Sequence, residues 1–335
     1  MTEKIRVAHT LTRLAGGPFF RTDHLLRFFD RERFDVRLFY GYSSGWDPVS
    51  HEDVVQDAPY ASRFIPSMQR EIRAPLDALA YVELLQAFRE FRPHIVHTHE
   101  SKDGVLARLA ARACRVPVVI RHYHGFLYGK GYFGPSPAPH APLYLSIERA
   151  LNRQFTDGIV NISPRLQQQA IEAYRLATPE KMVVIYDAFD LRKYRGVQHH
   201  SEARVSFGIP RRSCVFLMVA TFLPPKNHAG AVRAFALFAR KHPDPPPYLL
   251  LASAGRLQDE IRRLVQQLGL SERVRFLGHR NDIPALLGAA DAFVMSSTSE
   301  GTPGALIEAL AAGVPAACTR VGGIPDITKG NERAA

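Results

Sequence analysis

Short apolar runs separated by helical patterns constrain this 335-residue chain more than any other feature. In the first half the runs are IRVAHT (5–10), FDVRLFY (34–40), HIVHTH (94–99), VPVVIRHYH (116–124), DGIVNIS (157–163) and MVVIYD (182–187). Amphipathic stretches such as VLARLAARAC (105–114) and PRLQQQAIEAY (164–174) lie between them. The second half repeats the rhythm with CVFLMVA (214–220), YLLLASAG (248–255), RVRFLGH (273–279), AFVMSS (292–297) and PAACTR (315–320). Helical patterns around 227–241, 257–268, 282–290 and 304–312 separate these. Apolar strands alternating with helices form βαβ units and hence parallel sheets covered on both faces. A polar, basic stretch, DLRKYRGVQHHSEAR (190–204), interrupts the pattern once. The expectation is an α/β fold of two facing, doubly wound, Rossmann-like domains, 1–190 and 191–335. Ligands of such sheets bind at the carboxyl ends of the strands, here in a central cleft between the domains.

Charge and cysteine usage narrow the class. The net charge is +11, and residues 191–335 carry +8 of it. A basic second half suits phosphates, nucleic acid or an anionic membrane face, with a plain solvated surface as the alternative. Nucleic acid fits least, because the basic residues are not interleaved with stacking aromatics in a known module. Cys114, Cys214 and Cys318 are odd in number and far apart, which reads as reduced thiols of a cytoplasmic protein. The N-terminus lacks a leader pattern, and no apolar run approaches the roughly 18 residues that span a bilayer.

Residues 125–142, GFLYGKGYFGPSPAPHAP, break the rhythm. Gly129, Gly131 and Gly134 match G-x-G-x-x-G, but Pro135, Pro137 and Pro139 follow, so no helix opens there. The expectation is a loop with exposed aromatics, facing an acceptor or a membrane, or an ordinary long surface loop. His97 and His99, like His122 and His124, have strand spacing that raises a metal site; no carboxylate or cysteine is placed to complete one. His122 is expected to turn away from His124 as a solvent or structural histidine.

The stretch SSTSEGTPGALIEALAAGVP (296–315) holds Glu300 and Glu308 on either side of a turn. A helix is expected to start near Thr302, as N-cap, or Pro303, as first helical residue. Gly301 and Gly304 let backbone approach a ligand, and the helix start offers N–H groups to an anion. Glu308, in the second turn, suits ribose hydroxyls, so the motif reads as a nucleotide diphosphate site.

These residues resemble the donor signature of family 4 glycosyltransferases, retaining enzymes of the GT-B fold. LAGGPFF (14–20), FRPHIVHTHESKDGVLARLAARACRVPVVIRHYHG, NISPRLQQQ with EKMVVIYDAFDLRKY, VATFLPPKNH and RVRFLGHRNDIPALLGAADAFVMSS resemble further family motifs in the family's order. The resemblance implies that Glu308 binds the donor ribose and that Glu300 lies near the donor sugar. It implies that the amides of Gly301, Thr302, Gly304, Ala305 and Leu306, with Pro303 between them, frame sugar hydroxyls and phosphate. Lys226 would hold the diphosphate as a catalytic cation. Gly16 and Gly17 would approach the diphosphate, His124 would reach the transferred sugar, and His99 would face the same cleft. The base pocket is expected around Gly278, His279 and Arg280. No D-x-D sequence occurs, so neither a metal nor another cofactor is expected to be required.

Three departures from the family pattern stand out. Thr221 occupies the place of an arginine that grips the diphosphate, with Arg280 or Arg320 as possible substitutes. Asp187 replaces an asparagine near the interdomain hinge. Past GGIPDI the chain runs only to KGNERAA, so the second domain is expected to be truncated and to lack an outer strand. The implied activity is sugar transfer from UDP- or GDP-sugar to a glycan or lipid-linked acceptor of cell-surface polysaccharide or lipopolysaccharide synthesis, at the inner face of the membrane. Two alternatives share the fold: a non-catalytic nucleotide-sugar-binding or partner-dependent subunit, and a nucleotide-sugar epimerase.

Overall fold

Strand β1, Ile5–Leu11, is buried along most of its length and anchors the first sheet. The computed structural model describes residues 3–42, 51–126, 141–197 and 201–329. The proline-rich loop and its glycine pattern therefore lie outside the described residues, apart from its flanks at 125–126 and 141–142. The chain divides into two compact units, the first running to Phe189 and the second beginning at Asp190.

In the first unit β2 is Phe34–Tyr40, β3 Ala61–Phe64, β4 Ile95–Thr98, β5 Val118–Tyr123, β6 Gly158–Asn161 and β7 Met182–Val184. They form one sheet in the order β3-β2-β1-β4-β5-β6-β7, and every pairing is parallel. Helices α1 (Gly16–Arg27), α2 (Glu52–Gln56), α3 (Ala74–Phe91), α4 (Ser101–Ala113), α5 (Ala141–Gln154) and α6 (Pro164–Gln168) make the crossovers. Strand order reverses direction between β1 and β4, so their carboxyl ends flank a natural ligand crevice. Separate apolar clusters back the sheet, one around Phe39, Leu84 and Phe88 and another around Leu11, Phe19 and Leu26.

In the second unit β8 is Val215–Val219, β9 Tyr248–Ala252, β10 Val274–Gly278, β11 Ala292–Met295 and β12 Ala316–Cys318. The order is β10-β9-β8-β11-β12, again wholly parallel, with the reversal between β8 and β11 and β12 at one edge. Its helices are α7 (His228–Lys241), α8 (Gln258–Gln267), α9 (Ile283–Ala289), α10 (Gly304–Ala311) and α11 (Ile324–Thr328). No helix among the described residues is long and apolar enough to cross a membrane.

Each apolar run named from sequence forms a strand, most of them trimmed by one to three residues at their ends. The short edge strand β3, ASRF, and the 18-residue α3 are additions. The pattern at 164–174 is not a continuous α-helix, since α6 gives way to a π-helical turn over Gln169–Ala173.

Two packed helices of the first unit share a buried ion pair. Arg108 on α4 donates to Glu148 on α5 at 2.8 Å and to Asn152 Oδ1 at 2.7 Å, with neither charged side chain exposed. Tyr123 on β5 donates to the second Glu148 oxygen at 2.7 Å. Burial raises the cost of ionising Glu148, but the arginines Arg108 and Arg121 outweigh it and hold the carboxyl below its usual range. Removing one partner leaves an uncompensated buried charge. Glu148→Ala should therefore cost about 3–5 kcal/mol, read as a lower urea midpoint for the first unit.

Candidate functional site

Both halves of the second-unit site follow strands that meet at the reversal. After β8 the chain makes a 3₁₀ turn, Pro224–Lys226, and Asn227 then adopts a left-handed conformation at φ 49°. Asn227 caps α7 by accepting from Gly230 N at 3.1 Å, while its amide donates to Ser296 O at 3.1 Å. After β11, Thr298 N donates to Pro225 O at 2.8 Å and Ser296 Oγ donates to Asn227 O at 2.7 Å. The two loops are thus tied by one backbone bond and by the Asn227 and Ser296 side chains, each of which donates to the backbone of the other loop.

That frame brings Lys226 and Glu300 together across 74 positions of sequence. Lys226 Nζ lies 2.7 and 2.8 Å from the two Glu300 oxygens, and Ser297 Oγ donates to Glu300 at 2.6 Å. Glu300 is 6% exposed against 25% for Lys226, so the lysine is the accessible member of the pair. Behind the loop, Thr319 donates to Ser297 O, and Gly323 N donates to Gly301 O at 2.9 Å. Gly322, at φ +54°, packs so closely that a Cβ there would sit 1.8 Å from Glu300 O. Reading from sequence singled out Lys226 and Glu300 but missed this rear support; the adjacent Gly322 and Gly323 are its only sequence signal.

Helix α10 begins at Gly304, and Pro303, with ψ at 109°, is its N-cap. Thr302 is therefore not the cap, and Pro303 is not the first helical residue. The tie from Gly301 O to Gly323 N holds the loop extended until Pro303, and Thr302 Oγ1 makes no hydrogen bond among the described residues. Proline offers no side-chain acceptor, so the first amides of α10 carry no side-chain cap. The Leu306 side chain is fully buried, which leaves its amide, like those of Gly304 and Ala305, as its polar group at the helix start. Glu308 is half-buried in the second turn, and its side chain has no hydrogen-bond or ion-pair partner among the described residues.

Thr221 is half-buried between the buried Ala220 and Phe222, and its carbonyl accepts from Leu223 N at 2.7 Å. Arg280 pairs with Asp282, its Nε 2.7 Å from Oδ1, on the surface after β10. Gly278 adopts φ +66° and its carbonyl accepts from Ser253 N at 2.7 Å. In the first unit Gly16, at φ +71°, and Gly17 open α1 after β1, both exposed, and a Cβ at Gly17 would meet nothing within 4 Å.

His99 and His124 belong to a larger group at the carboxyl ends of β1, β4 and β5. His9 pairs with His97 in the β1–β4 register, and His97 with Ile120 in the β4–β5 register. Residues two apart on a strand share a face, so His9, His97, His99, His122 and His124 all project from one side. This overturns the expectation that His122 turns away from His124: their rings stack at 4.2 Å with 5° between planes. His9 Nδ1 lies 2.9 Å from His99 Nε2, and His99 Nδ1 lies 3.1 Å from His124 Nε2. His124 Nδ1 is 3.8 Å from Asp187 Oδ1. Burial, reinforced by neighbouring positive charge, pushes all five histidines below their usual pKa, to about 3 for His97 and His124. Burial also raises Asp187 to about 6 and raises Asp103, which accepts from the His99 amide and from Thr10.

Comparison with known proteins places this geometry in a family. Residues 15–193 match the model described as Glycosyltransferase Family 4, and residues 200–335 match Glycosyl transferases group 1. The chain belongs to Glycosyltransferase Family 4 and is a glycosyltransferase. It is 28% identical to the UDP-Gal:alpha-D-GlcNAc-diphosphoundecaprenol alpha-1,3-galactosyltransferase of Escherichia coli, over 96% of this chain and 80% of that one. It is also 28% identical to the putative glycosyltransferase EpsD of Bacillus subtilis, over 86% of this chain and 75% of that one. Among solved structures, Anabaena Alr3699/HepE in complex with UDP-glucose superposes with a TM-score of 0.78 at 19% identity, covering 96% and 82% of the two chains. WaaG, a glycosyltransferase involved in lipopolysaccharide biosynthesis, superposes at 0.71 with 16% identity, covering 96% and 83%. These superpositions establish the GT-B architecture of two Rossmann-like α/β domains.

Two predictions follow from the supports of these residues. Gly322→Ala puts a methyl against Glu300 O in a backbone conformation that L side chains resist. It should destabilise the second unit by about 1–3 kcal/mol, seen in thermal melts, and weaken nucleotide binding measured by calorimetry. The histidines fix the sign of the acid response. Their folded pKa values lie below the unfolded value of about 6.5, so the unfolded chain binds more protons. Stability is full above that pH and is lost progressively towards about 3. Asp187 and Asp103, raised on folding, offset part of the loss. Before that offset, about 1–2 kcal/mol should be lost for each of His97 and His124 between pH 7 and pH 5, measured by urea denaturation of the first unit. Replacing His9 and His97 with Phe should flatten that dependence.

Proposed function

We propose that this glycosyltransferase moves a sugar from a UDP-sugar to a lipid-linked glycan acceptor with retained anomeric configuration. The observation that carries this reading is the Lys226–Glu300 pair, held one turn ahead of a helix without a side-chain cap, whose Glu308 side chain has no partner among the described residues. The relative named for UDP-Gal and a diphosphoundecaprenol-linked acceptor supports both the base and the acceptor class. The structural neighbour with UDP-glucose supports a uridine donor. Lipid-linked acceptors lie at a membrane, and a net charge of +11 favours residence at its anionic inner face.

In this reading the α10 amides and Lys226 hold the diphosphate. The bond between anomeric carbon and phosphate oxygen breaks as the acceptor oxygen bonds to that carbon from the same face. The acceptor proton passes to the departing phosphate oxygen, so no side-chain nucleophile takes part. Lys226 stabilises the charge that grows on the leaving group, in a site where Thr221 supplies none. Glu300 fixes the ammonium through both oxygens, and Glu308 accepts from the ribose hydroxyls. His124 contacts the transferred sugar as a neutral imidazole, and no resident metal or other cofactor is needed.

The test is transfer from UDP-galactose, UDP-glucose and UDP-N-acetylglucosamine to a polyprenyl-diphosphate-linked sugar, with product linkage read by NMR. Lys226→Ala should lower kcat/KM by about 100- to 1,000-fold, and Glu308→Gln should weaken UDP binding by about 10-fold or more. An inverted product linkage would sink the retaining step. UDP-sugar binding without transfer would identify a non-catalytic module, and donor isomerisation without acceptor would identify an epimerase.

A further inference from the structure

Helix α3 carries apolar side chains on the face it turns to solvent. Pro75, Ala78, Leu79, Val82 and Gln86 follow one another along that exposed stripe at helical spacing, and the first charge on it is Arg89. Leu79 is 54% and Val82 46% exposed, and Ile72, just ahead of the helix, is 77% exposed. A surface helix ordinarily keeps polar residues on its outer face, and an outer face that is apolar like the inner one marks a covered helix. Beside the stripe, α3 and α4 border a groove of about 590 Å³ lined by Ile72, Ala78, Tyr81, Leu106, Leu109 and Phe155. At Ala113 the groove meets a second recess of about 440 Å³. Arg89, Arg92 and Arg115 line that recess, and no carboxylate among the described residues does.

Arg89, Arg92, Arg112 and Arg115 are all exposed, and none has an ion-pair partner among the described residues. Two acids of α3 are already taken, Glu90 by Arg63 and Asp77 by Lys102. Arg92 and Arg115 adopt left-handed backbone, φ 49° and 54°, just past the carboxyl ends of α3 and α4, where glycine would cost least. Each helix end offers about half a negative charge, so the two ends together match only one of the four guanidinium groups. We infer that this α3–α4 face of the first unit docks on an anionic lipid bilayer, with the arginines at headgroup phosphates and the apolar stripe and groove against acyl chains. Apolar side chains bordered by cations are the pattern of an interfacial helix, and a guanidinium fork pairs with phosphate through two bonds. A second copy of the chain suits the face less, because it brings the same four arginines and the same acids already paired. The inference rests on the membrane residence proposed above and on no step of sugar transfer. Helix α4 starts two residues after His99, so the face begins at the sheet end that carries the first unit's site residues.

The experiment is sedimentation of the full chain with vesicles of phosphatidylcholine, alone or mixed with phosphatidylglycerol, without donor or acceptor. The chain should pellet with the anionic vesicles only, and less so as salt rises. Each arginine near such a surface strengthens binding about five-fold, so Arg89→Ala, Arg92→Ala and Arg115→Ala together should weaken it about 100-fold. Leu79→Ser with Val82→Ser should weaken it about 10-fold. All five side chains are exposed, and thermal melts of both variants should match the unaltered chain. Arg240→Ala, Lys241→Ala and Arg263→Ala, on α7 and α8, remove the same charge and should cost less than about five-fold. Equal losses in the two basic triples would reduce the effect to net charge and overturn the face. Anionic binding that survives both α3–α4 variants would overturn the face and leave membrane residence standing, whereas an unaltered chain that binds no vesicle would overturn both. Release by inorganic phosphate at constant ionic strength would assign the arginines to a free anion instead. A dimer that only the Leu79 and Val82 variant dissociates would give the stripe to a second copy, against the inference. Transfer to a water-soluble acceptor should be unchanged in every variant, so the docking face and the transfer reaction fail separately.

Discussion

The Lys226–Glu300 pair depends on how tightly the loop after β11 is gripped. Residues 296–301 bond forward to the turn before α7 and backward to the segment after β12, and most of these bonds involve backbone atoms. Two of them are backbone to backbone and order no side chain, while the rest fix the short side chains of Asn227, Ser296 and Thr319 on carbonyl acceptors. Because the loop cannot drift, Glu300 can hold Lys226 through two oxygens, and α10 can begin where it does. A lysine alone would be a mobile cation on a flexible stem. Here its position is set by a carboxylate that is itself nearly enclosed.

Sheet topology supplies the rest of the positioning. In each unit the order reverses once, between β1 and β4 and between β8 and β11. Gly16, His99, Lys226 and Glu300 each follow one of those four strands, whereas His124 follows β5 and Arg280 follows β10. The two sheets repeat one arrangement, with different side chains grafted onto equivalent corners. In the first the corner is lined by imidazoles, and in the second by an ion pair and bare amides.

Much of this was legible because apolar runs mark strands and glycines mark their exits. Lys226, Glu300 and Glu308 stand in local patterns whose chemistry needs no long-range knowledge. What escaped was contact across strands. His9 did not look functional alone, because its partners lie about 90 positions away and meet it only through parallel register. The misreading of His122 was avoidable, since residues two apart share a face. Gly322 was equally hidden: nothing local tells a reader that its missing side chain makes room for the Glu300 carbonyl. The ASRF edge strand is too short and too charged to stand out, as edge strands tend to be.

The imidazole chain has a further consequence. A neutral ring carries one N–H, so His9, His99 and His124 can be linked by two bonds only if all three adopt a common polarity. Two tautomeric arrangements satisfy this. In one, each Nδ1 donates towards the next ring and His124 presents its N–H to Asp187; in the other, every bond runs back towards His9. An ionised Asp187 favours the first, and a protonated one removes the preference. A single aspartate at the end of β7's trailing segment therefore sets the direction of a hydrogen-bond dipole that spans three strands, without any change in the charge of the histidines.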